Sequence, residues 1–320
     1  MNAKEKVLQL LLKSNGEHLS GEQMANTLGV SRAAVWKSVK QLEKDGFVID
    51  AISNKGYAID SSNDVLTEVG IKRHLDKKTH FSFEVYDSLE STNKLMREKT
   101  TNDEGFVILS QEQTKGVGRL SRHFFSPKNS GLYMSLLLKP QLKASETIYI
   151  TTTAAVAVCK AIEKVCDQKP QIKWVNDIFV GNRKVCGILT QGSFNMENSL
   201  TEYIILGIGI NVYAPEEGFP EEINEIASYL LKDKQYDFKN QLSAQILSEF
   251  WDLYKNYEPK QINEMYKTYC FVIGRDVMVH KLDERFKAKV LDINENCNLI
   301  VQYENGEIQT LDSGEISIKL

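Results

Sequence analysis

The sequence lacks the features that mark several special classes of protein. Its five Cys are odd in number and show no paired Cys-x-x-Cys spacing, which argues against a disulfide framework and a structural zinc site. Cys159 and Cys166 lie in an apolar helical stretch, where we expect them to pack in a core. The net charge of −4 is no signature of nucleic-acid binding, so any DNA contact must come from a local basic face.

No targeting or membrane segment is evident either. Residues 1–5 do not resemble the start of a signal peptide, and the longest apolar run, Tyr203–Val212, is too short to cross a bilayer. We therefore expect a cytoplasmic protein. A chain of 320 residues with 42% hydrophobic and 26% charged content is typical of globular proteins and is long enough for two or three domains.

The first sixty residues carry the pattern of three helices followed by two strands. Apolar residues within 7–12 predict a first helix that ends at Asn15-Gly16. Ser20, with Gln23 three residues later, predicts a capping box for a second helix. This helix ends at Gly29, and a very short turn separates it from the third.

The third helix runs from Ser31 to about Asp45. Strands at 47–50 and 57–59 follow it, joined by the turn 53–56. Helix, short turn, helix and β-wing is a winged helix-turn-helix pattern. In such a module the third helix enters the major groove of DNA.

The outer face of the third helix supplies the candidate DNA contacts. Arg32 could pair with a guanine edge, while Lys37 suits a phosphate. The full candidate set is Ser31, Arg32, Ala33, Trp36, Lys37, Lys40 and Lys55. The alternative is a small helical interaction domain with a solvated basic face. The module would span residues 1–62, and Ser61–Asp64 would be a linker.

Residues 65–270 alternate helix and strand patterns, which predicts an α/β (α+β) domain with a mixed, largely antiparallel sheet. The predicted helices are 65–75, 91–99 and 148–166. The predicted strands are 81–86, 106–111, 131–138, 171–174, 178–180, 184–191 and 203–212.

Three short segments of this domain suit an anionic ligand: Gly116–Arg119, Lys173–Asp177 and Gly207–Asn211. Glycines let backbone N–H groups approach a phosphate, but the first segment lacks the ending of a Walker A loop and the third glycine of a Rossmann fingerprint. Arg119 offers a fixed fork for phosphate oxygens. Lys173 could neutralise charge that builds when an anion attacks a phosphoryl group; the alternative is a lysine on a solvated strand face.

Together with Ser91-Thr92-Asn93 and Gly187-Ile188-Leu189, these segments resemble, in order, the motifs of biotin protein ligases of the bifunctional type, the biotin operon repressors. The resemblance covers essentially the whole chain. It implies a class II synthetase-like ligase domain over 65–270 and an SH3-like β-barrel over 271–320.

The C-terminal pattern agrees with a small barrel, because short strands alternate with glycine and asparagine turns. The predicted strands are 277–280, 286–293, 299–303 and 308–312. Two roles are open for this part of the chain. It is a structural cap, or, as the resemblance implies, it contributes to the binding of ATP or of the carrier domain.

The resemblance implies a reaction in two steps. The carboxylate of biotin attacks the α-phosphate of ATP, which gives biotinyl-5′-adenylate and pyrophosphate. One lysine of a biotin carboxyl carrier protein, in acetyl-CoA carboxylase or pyruvate carboxylase, then attacks the adenylate carbonyl. ATP and biotin are thus substrates, Mg²⁺ accompanies the nucleotide, and no tightly bound prosthetic group is expected.

The resemblance also implies residue roles, with Lys173 and Arg119 as the catalytic pair that holds the carboxylate against the phosphate. The implied biotin contacts are Ser91, Thr92, Asn93, Gln113, Gly116, Val117, Gly118, Arg119, Tyr133 and Lys173. The implied ATP contacts are Arg119, Lys173, Asn176 and Asn211, the last recognising adenine. Asn176 or Asp177 would help to place Mg²⁺.

Four positions depart from the family's motifs. Val117 stands in place of an arginine, Val175 in place of a proline, Gln191 where a glutamate is common, and Phe124 where a tryptophan is common. Loss of the arginine could loosen retention of the adenylate. Both catalytic cations remain, so we expect an active ligase.

For regulation, the resemblance implies a homodimer that forms when the adenylate is bound and represses biotin genes at a two-fold operator. We expect dimers to form by edge pairing of the central sheet near Gln191–Tyr203. Two alternatives stay open. One is a lipoate–protein ligase, which shares the fold; the other is a biotin-sensing repressor with weak or lost ligase activity.

Overall fold

A computed structural model of the chain describes residues 2–76, 79, 81–281, 284–312 and 315–317. The chain divides into two units, Met1–Asp76 with Asp233–Ala244, and Lys77–Lys232 with Gln245–Leu320. No helix among the described residues is long and apolar enough to cross a membrane.

The first unit contains the predicted winged helix-turn-helix. Its elements are α1 (Ala3–Lys13), α2 (Gly21–Leu28), α3 (Arg32–Lys44), β1 (Ile49–Ile52), β2 (Gly56–Ile59) and α4 (Glu68–His74). The capping box of Ser20 and Gln23 is present, and Gly29 ends α2 in the left-handed conformation with φ of 65°. Ser31 caps α3 by accepting a hydrogen bond from Ala34 N.

The apolar residues within 7–12 that predict the first helix are buried, except that Leu10 is only partly buried. Strands β1 and β2 pair antiparallel to form the wing. The buried cluster that joins α1, α2 and α3 consists of Val7, Leu8, Leu11, Leu12, Met24, Ala25, Val35, Val39 and Leu42, with Phe47 and Ile59 from the chain that follows.

Only the first half of the predicted linker, residues 61–64, is exposed as a linker would be. Ser61 and Ser62 are exposed. Asn63 and Asp64 are buried at 5% and 7% exposure. Asn63 Nδ2 donates to Val48 O at 3.3 Å, and Lys239 N donates to Asp64 Oδ1 at 2.7 Å. These bonds make the segment part of the first unit's interior.

The helix predicted over 65–75 forms only from Glu68. Asn240 holds the preceding residues, because Thr67 N donates to its Oδ1 at 2.9 Å and its Nδ2 donates to Val65 O at 2.8 Å. Thr67 then caps α4 through a bond from Gly70 N. The start of this helix was predicted wrongly because a local sequence pattern contains no information about contacts with the distant residue Asn240.

The second unit begins with the central α/β domain. Its strands are β3 (Ser82–Tyr86), β4 (Phe106–Ser110), β5 (Gly131–Leu138), β6 (Pro170–Lys173), β7 (Asp177–Val180), β8 (Arg183–Phe194) and β9 (Thr201–Asn211). Its helices are α5 (Thr92–Arg97), α6 (Ile148–Val165), α7 (Glu221–Asn224), α8 (Phe238–Lys255), which begins in the first unit, and α9 (Pro259–Tyr269).

These strands form one mixed sheet in the order β3-β4-β5-β9-β8-β7-β6. Within the described chain, β3 and β4 are its parallel pair and the other pairs are antiparallel, so the predicted sheet type is confirmed. Helix α6 contacts β6, β7 and β8. Cys159 is fully buried in α6, as expected for core packing, and Cys166 at its end is half-buried.

The sheet order bears on the predicted dimer edge. Strands β8 and β9 lie inside the sheet, and β3 and β6 are its edges. However, β7 pairs with β8 only as far as Gly187, while β9 follows β8 up to Phe194. In the strand pairings of the described residues, 189–194 therefore have a partner strand on one side only.

The C-terminal part of the second unit is a five-stranded antiparallel sheet over the residues described. Its strands are β10 (Asp276–Lys281), β11 (Glu284–Ile293), β12 (Leu299–Tyr303), β13 (Ile308–Leu311) and β14 (Glu315–Ser317). The four predicted strands are present. The fifth, β14, is only three residues long, which is too short for an alternating pattern to indicate it.

Candidate active site

The motif segments of the second unit meet at one cavity of about 320 Å³. Cross-strand pairing brings them together, because Asp177 pairs with Gly187, Gly187 with Gly209, and Gly209 with Tyr133. Of the predicted site residues, the cavity is lined by Ser91, Thr92, Asn93, Gln113, Val117, Gly118, Arg119, Lys173, Asn176, Asp177 and Asn211. Gly116 and Tyr133 are outside the lining.

Glycines at the centre of the sheet make room for an aromatic ring. A Cβ on Gly209 would lie 2.6 Å from Phe124 Cε1, and one on Gly187 would lie 3.1 Å from Phe124 Cε2. Phe124 itself lines the cavity. The glycines of two motifs thus leave space for Phe124, one of the four departures from the family's pattern.

The glycine-rich loop folds back on itself as a tight hairpin. Phe124 N donates to Gly116 O at 2.9 Å, and Gly118 N donates to Arg122 O at 2.8 Å. A Cβ on Gly116 would lie 2.4 Å from Phe124 O, so the close approach of the two arms excludes a side chain. The N–H of Gly118, a residue that the resemblance implies as a biotin contact, is already bonded within the loop.

A chain of hydrogen bonds joins the start of α5 to this loop. Thr92 N and Oγ1 both donate to Gln113 Oε1, at 2.8 and 3.1 Å. Gln113 Nε2 donates to Ser126 Oγ at 3.0 Å, and Ser126 Oγ donates to Phe124 O at 2.8 Å. Ser91 begins α5 as its cap. These residues lie side by side at the cavity, as their predicted shared role requires.

Asn93 lines the cavity, but its amide is engaged by the sheet behind it. Its Oδ1 accepts from Ser135 Oγ at 2.6 Å, and its Nδ2 donates to Gln191 Oε1 at 3.0 Å. A Cβ on Gly207 would lie 2.3 Å from Asn93 Oδ1. This side chain therefore positions α5 against β5, β8 and β9, a role the motif pattern did not predict.

Tyr133 does not wall the cavity as predicted. It is 1% exposed and donates its hydroxyl to Pro127 O at 3.1 Å, and burial raises its pKa well above the usual range. Its ring packs edge-on against Phe124 with centroids 6.5 Å apart. Tyr133 pairs with Gly209 and therefore lies on the same face of the sheet as Phe124, whose ring it supports from the side.

The cavity lining carries a strong excess of positive charge. Among the described lining residues, the fixed cations are Arg119, Arg122, Lys173 and Lys184, and the carboxylate is Asp177. Arg119 Nη1 donates to Asn176 Oδ1 at 3.1 Å. Such a surface attracts ligands with several negative charges, and Arg122 and Lys184 extend the predicted pair of cations.

The two predicted magnesium ligands are already engaged. Asp177 forms an ion pair with Lys184 at 2.6 Å. Asn176 accepts from Arg119 and donates its Nδ2 to Ile188 O at 2.8 Å. Within the described chain no cluster of three His, Cys, Asp or Glu side chains forms a metal site. The residues fit poorly as a preformed Mg²⁺ site.

Asn211 holds a segment that sequence patterns did not connect with the site. Its Nδ2 donates to Ser228 O at 2.9 Å, while Lys184 N donates to Ile226 O at 2.7 Å. This segment and β14 supply apolar lining residues that were missed: Phe219, Ile223, Ile226, Ala227 and Ile316. No motif marks them, because four are apolar residues scattered within the segment 219–227 and the fifth, Ile316, lies far away in the sequence.

The predicted DNA contacts lie in the first unit. All seven are exposed, and Trp36 is 55% exposed although it is a large aromatic. Lys40 forms an ion pair within α3, with 2.7 Å to Glu43. Ser31 uses its hydroxyl to cap α3. Arg32, Trp36 and Lys37 thus form the outer face of the helix near its start.

Comparisons with known proteins agree with these features. The chain matches the HTH domain at residues 4–58, the Biotin/lipoate A/B protein ligase family at residues 83–211, and the Biotin protein ligase C terminal domain at residues 272–319. A solved biotin protein ligase from Aquifex aeolicus in complex with biotin and ATP has a TM-score of 0.62 and 25% identity, covering 74% of this chain and 97% of that one.

Two relatives match over nearly the full length. The bifunctional ligase/repressor BirA of Bacillus subtilis is 32% identical over 320 residues, covering 98% of this chain and 97% of the relative. Its counterpart from Bacillus spizizenii is 31% identical over 319 residues, with the same coverage of 98% and 97%. On these matches, the chain belongs to the biotin protein ligase family, in its bifunctional ligase/repressor branch.

Proposed function

We propose that this protein activates biotin with ATP and transfers it to a lysine of a biotin carboxyl carrier protein, and that it represses transcription through its winged helix. The observation that carries the ligase activity is the cavity where Lys173 and Arg119 meet the glycine-rich loop, within a four-cation lining. The three parts proposed to share this work are residues 1–62, 65–270 and 271–320.

In the first step, a carboxylate oxygen of biotin forms a bond to the α-phosphorus of ATP as the bond to pyrophosphate breaks. Both reactants are anions, so repulsion between them is the main obstacle. Lys173 and Arg119 offset this repulsion and hold the reacting oxygen near the phosphorus, which is catalysis by positioning and charge stabilisation.

In the second step, the amine of the carrier lysine attacks the adenylate carbonyl, an amide bond forms, and AMP leaves. A deprotonated amine is required, and the cations of the lining stabilise the departing phosphate. Asn211 and the apolar residues from 219–227 lie on one side of the cavity, and we assign adenine to that side.

Mg²⁺ supplies charge neutralisation of the triphosphate when it is bound. Since Asp177 is paired with Lys184, we propose that Mg²⁺ would enter with ATP as part of the nucleotide substrate. The residues around the cavity then bind the nucleotide and biotin rather than a resident metal.

The test is transfer of biotin to a purified carrier domain with Mg-ATP. Lys173→Ala should reduce labelling by roughly a hundredfold, because it removes a charge from the developing transition state. Lys128→Ala is the matched control, since Lys128 forms a surface pair with Asp87 at 2.6 Å and is outside the cavity lining. It should label within about twofold of wild type.

Two results would contradict the proposal. If wild type binds biotin but labels no carrier, the protein is a sensor. If lipoate rather than biotin releases pyrophosphate from ATP, it is a lipoate-type ligase.

For the repressor role, we propose a homodimer that forms when the adenylate is bound. The one-sided strand segment 189–194 offers backbone groups for pairing with a second copy. Linkage requires that the adenylate bind the dimer better than the monomer. Sedimentation velocity with and without biotin plus Mg-ATP should then show a ligand-dependent shift from monomer to dimer, and an unchanged distribution would reject this coupling.

A further inference from the structure

The turn that follows Lys173 is anchored by several separate parts of the second unit. Lys173 is the last residue of β6, a four-residue strand at the edge of the sheet. The turn Trp174–Asn176 then leads into β7. On the side away from β7, this strand makes a single isolated bridge, between Ile172 and Cys270, with Phe271 N donating to Ile172 O at 3.1 Å. The strand ladder does not extend to Lys173 on that side, so the position of Lys173 depends strongly on what holds the turn.

Each residue of this turn bonds to a different element. Trp174 Nε1 donates to Cys297 O at 2.9 Å. Tyr266 Oη, on α9, donates to Val175 O at 3.0 Å. Asn176 bonds to β8, since its Nδ2 donates to Ile188 O and Ile188 N donates to its carbonyl at 2.9 Å.

The acceptor of the Trp174 bond is itself fixed. Cys297 is fully buried and lies in the tight turn between β11 and β12, where Cys297 N donates to Asn294 O at 3.0 Å. Asn263 Nδ2 donates to Asn294 O at 2.7 Å and contacts Cys297 Sγ at 3.4 Å. Tyr149 Oη donates to Asn296 Oδ1 at 2.8 Å. The Cys297 carbonyl is therefore held in place by its own turn, independently of the turn 174–176.

We propose that Trp174 is a positioning residue for adenylate formation. Its indole N–H ties the strand end that carries Lys173 to the C-terminal β domain, so that this domain sets where the Lys173 ammonium lies in the cavity. Trp174 is 4% exposed and itself lines the cavity next to Lys173. This inference rests on the proposed ligase function, and it gives the indole of Trp174 and the C-terminal β domain a role in placing Lys173.

The direct test is Trp174→Phe, which keeps an aromatic ring and removes the N–H. Biotin-dependent release of pyrophosphate should slow by roughly ten- to a hundredfold, as expected for displacement of a catalytic group by a fraction of an ångström. The Kd for biotin measured calorimetrically without ATP should stay within about twofold, since Phe keeps an aromatic ring at this place in the cavity lining and the Thr92–Gln113 hydrogen bonds are unchanged.

Trp251→Phe is the matched control. Trp251, on α8, packs against Phe81 with ring centroids 4.9 Å apart and is outside the cavity lining. The same chemical change there should leave the rate of pyrophosphate release within about twofold at a temperature below both melting transitions. Thermal unfolding of all variants fixes that temperature.

A double mutant separates positioning from general damage. If Trp174 acts through Lys173, Trp174→Phe should have little further effect in a Lys173→Ala background, measured in single turnovers at high enzyme concentration. Equal fold losses in both backgrounds would mean independent effects and would overturn the proposal.

Asn263→Ala is a second variant for the case in which Trp174→Phe does not fold. It loosens the turn that carries the Cys297 carbonyl and leaves the indole in place, so the same selective and Lys173-dependent loss is expected. Wild-type rates for both Trp174→Phe and Asn263→Ala would also overturn the proposal. Failure of the ligase function is distinguishable, because wild type would then release no pyrophosphate with biotin.

Discussion

At the scale of single residues, the site depends on positions where a side chain would leave no room. Gly207 faces the Asn93 amide, whose hydrogen bonds to Ser135 and Gln191 join α5 to the sheet. Buried polar groups that lose their partners cost the full desolvation penalty. A methyl group at Gly207 therefore acts on a hydrogen-bond network as well as on packing.

We predict that Gly207→Ala lowers the free energy of unfolding by about 2–4 kcal/mol, because Asn93 must move and leave buried partners unsatisfied. Gly192→Ala, in the same hairpin, is the control, since the nearest atom to its new Cβ would be Tyr203 O at 3.5 Å. Urea denaturation should show a small change for the control, and equal losses in the two variants would contradict the steric argument.

The four departures from the family's motifs are accommodated in different ways. Gln191 accepts from Asn93 with an oxygen, as a carboxylate would. Phe124 occupies the space over Gly187 and Gly209. Val175 is buried, follows a cis peptide bond, and bonds to Tyr266 through its carbonyl. Val117 is 44% exposed at the cavity, so it removes a charge without disturbing the loop.

At the scale of elements, α6 and α8 are joined by buried charge. Glu249 of α8 is 7% exposed and pairs with Lys160 at 2.6 Å and with Lys164, both of α6. Burial alone would raise the pKa of Glu249, but hydrogen bonds from the two lysines outweigh it and hold the pKa below its usual value of 4.5.

A depressed carboxyl pKa stabilises the fold above the unfolded pKa and loses that effect as pH falls through the folded value. Glu249→Gln should thus cost about 1 kcal/mol near neutral pH, reduced by the exposure of the lysine partners. The difference from wild type should vanish in acid, well below pH 4.5. Urea denaturation across the acid range measures it, and a difference that persists unchanged in acid would reject the ion pairs as its cause.

Glu68→Gln is the control for that experiment. Glu68 pairs with Lys72 at 2.6 Å on the surface of α4, with both side chains about half exposed. Such an i,i+4 pair contributes roughly 0.3–0.5 kcal/mol, so its removal should barely alter unfolding at any pH.

The recognition helix α3 gives a second prediction at this scale. Lys37 is exposed, whereas Lys40 is held by Glu43 on its own helix. The operator sequence for this test would first be obtained by selecting, from a pool of random DNA, the sequences that the wild-type protein binds in the presence of biotin and Mg-ATP. Lys37→Ala should then weaken binding about tenfold and flatten the salt dependence by about one unit of slope. Lys40→Ala should do less, and the reverse order in fluorescence anisotropy would contradict this account.

At the scale of the whole molecule, the DNA-reading module extends beyond its predicted end. Val65, Val69 and Tyr236 pack against the core of the three helices. Asp237 N donates to Asn63 O at 2.9 Å. Asp237 also accepts from His74 Nε2 at 2.6 Å. The first unit therefore includes residues that the sequence pattern placed in the central domain, 65–270.

Deletion of residues 1–64 should accordingly expose apolar side chains of the remainder and lower its melting temperature by several degrees, as for a loss of about 1–2 kcal/mol. Differential scanning calorimetry and binding of a hydrophobic dye measure the two effects. The control is full-length Arg32→Ala, which changes an exposed side chain only. If the variant that lacks residues 1–64 had the same melting temperature as the full-length protein, residues 61–64 would be a linker without stabilising contacts.

Local patterns predicted much of this molecule. Ser20 with Gln23, Ser31 and Gly29 mark helix ends through bonds within four residues, so their roles follow from sequence alone. Strand β5 was predicted over its full range because a continuous apolar run is typical of a buried strand. No pattern predicted α8 or α9 individually, since their burial depends on partners elsewhere in the chain.

The sequence by itself determined the element types, the helix caps and the ordered motifs that identify the family. Tertiary structure decided which motif side chains line the cavity and which are engaged elsewhere, because the deciding contacts are distant in the chain. Asn93 bonds to residues 42 and 98 positions away, and Trp174 bonds to one 123 positions away. Tyr133 packs against Phe124 and bonds to Pro127 O instead of lining the cavity, while Ile316 of β14 does line it; no local propensity specifies such long-range contacts.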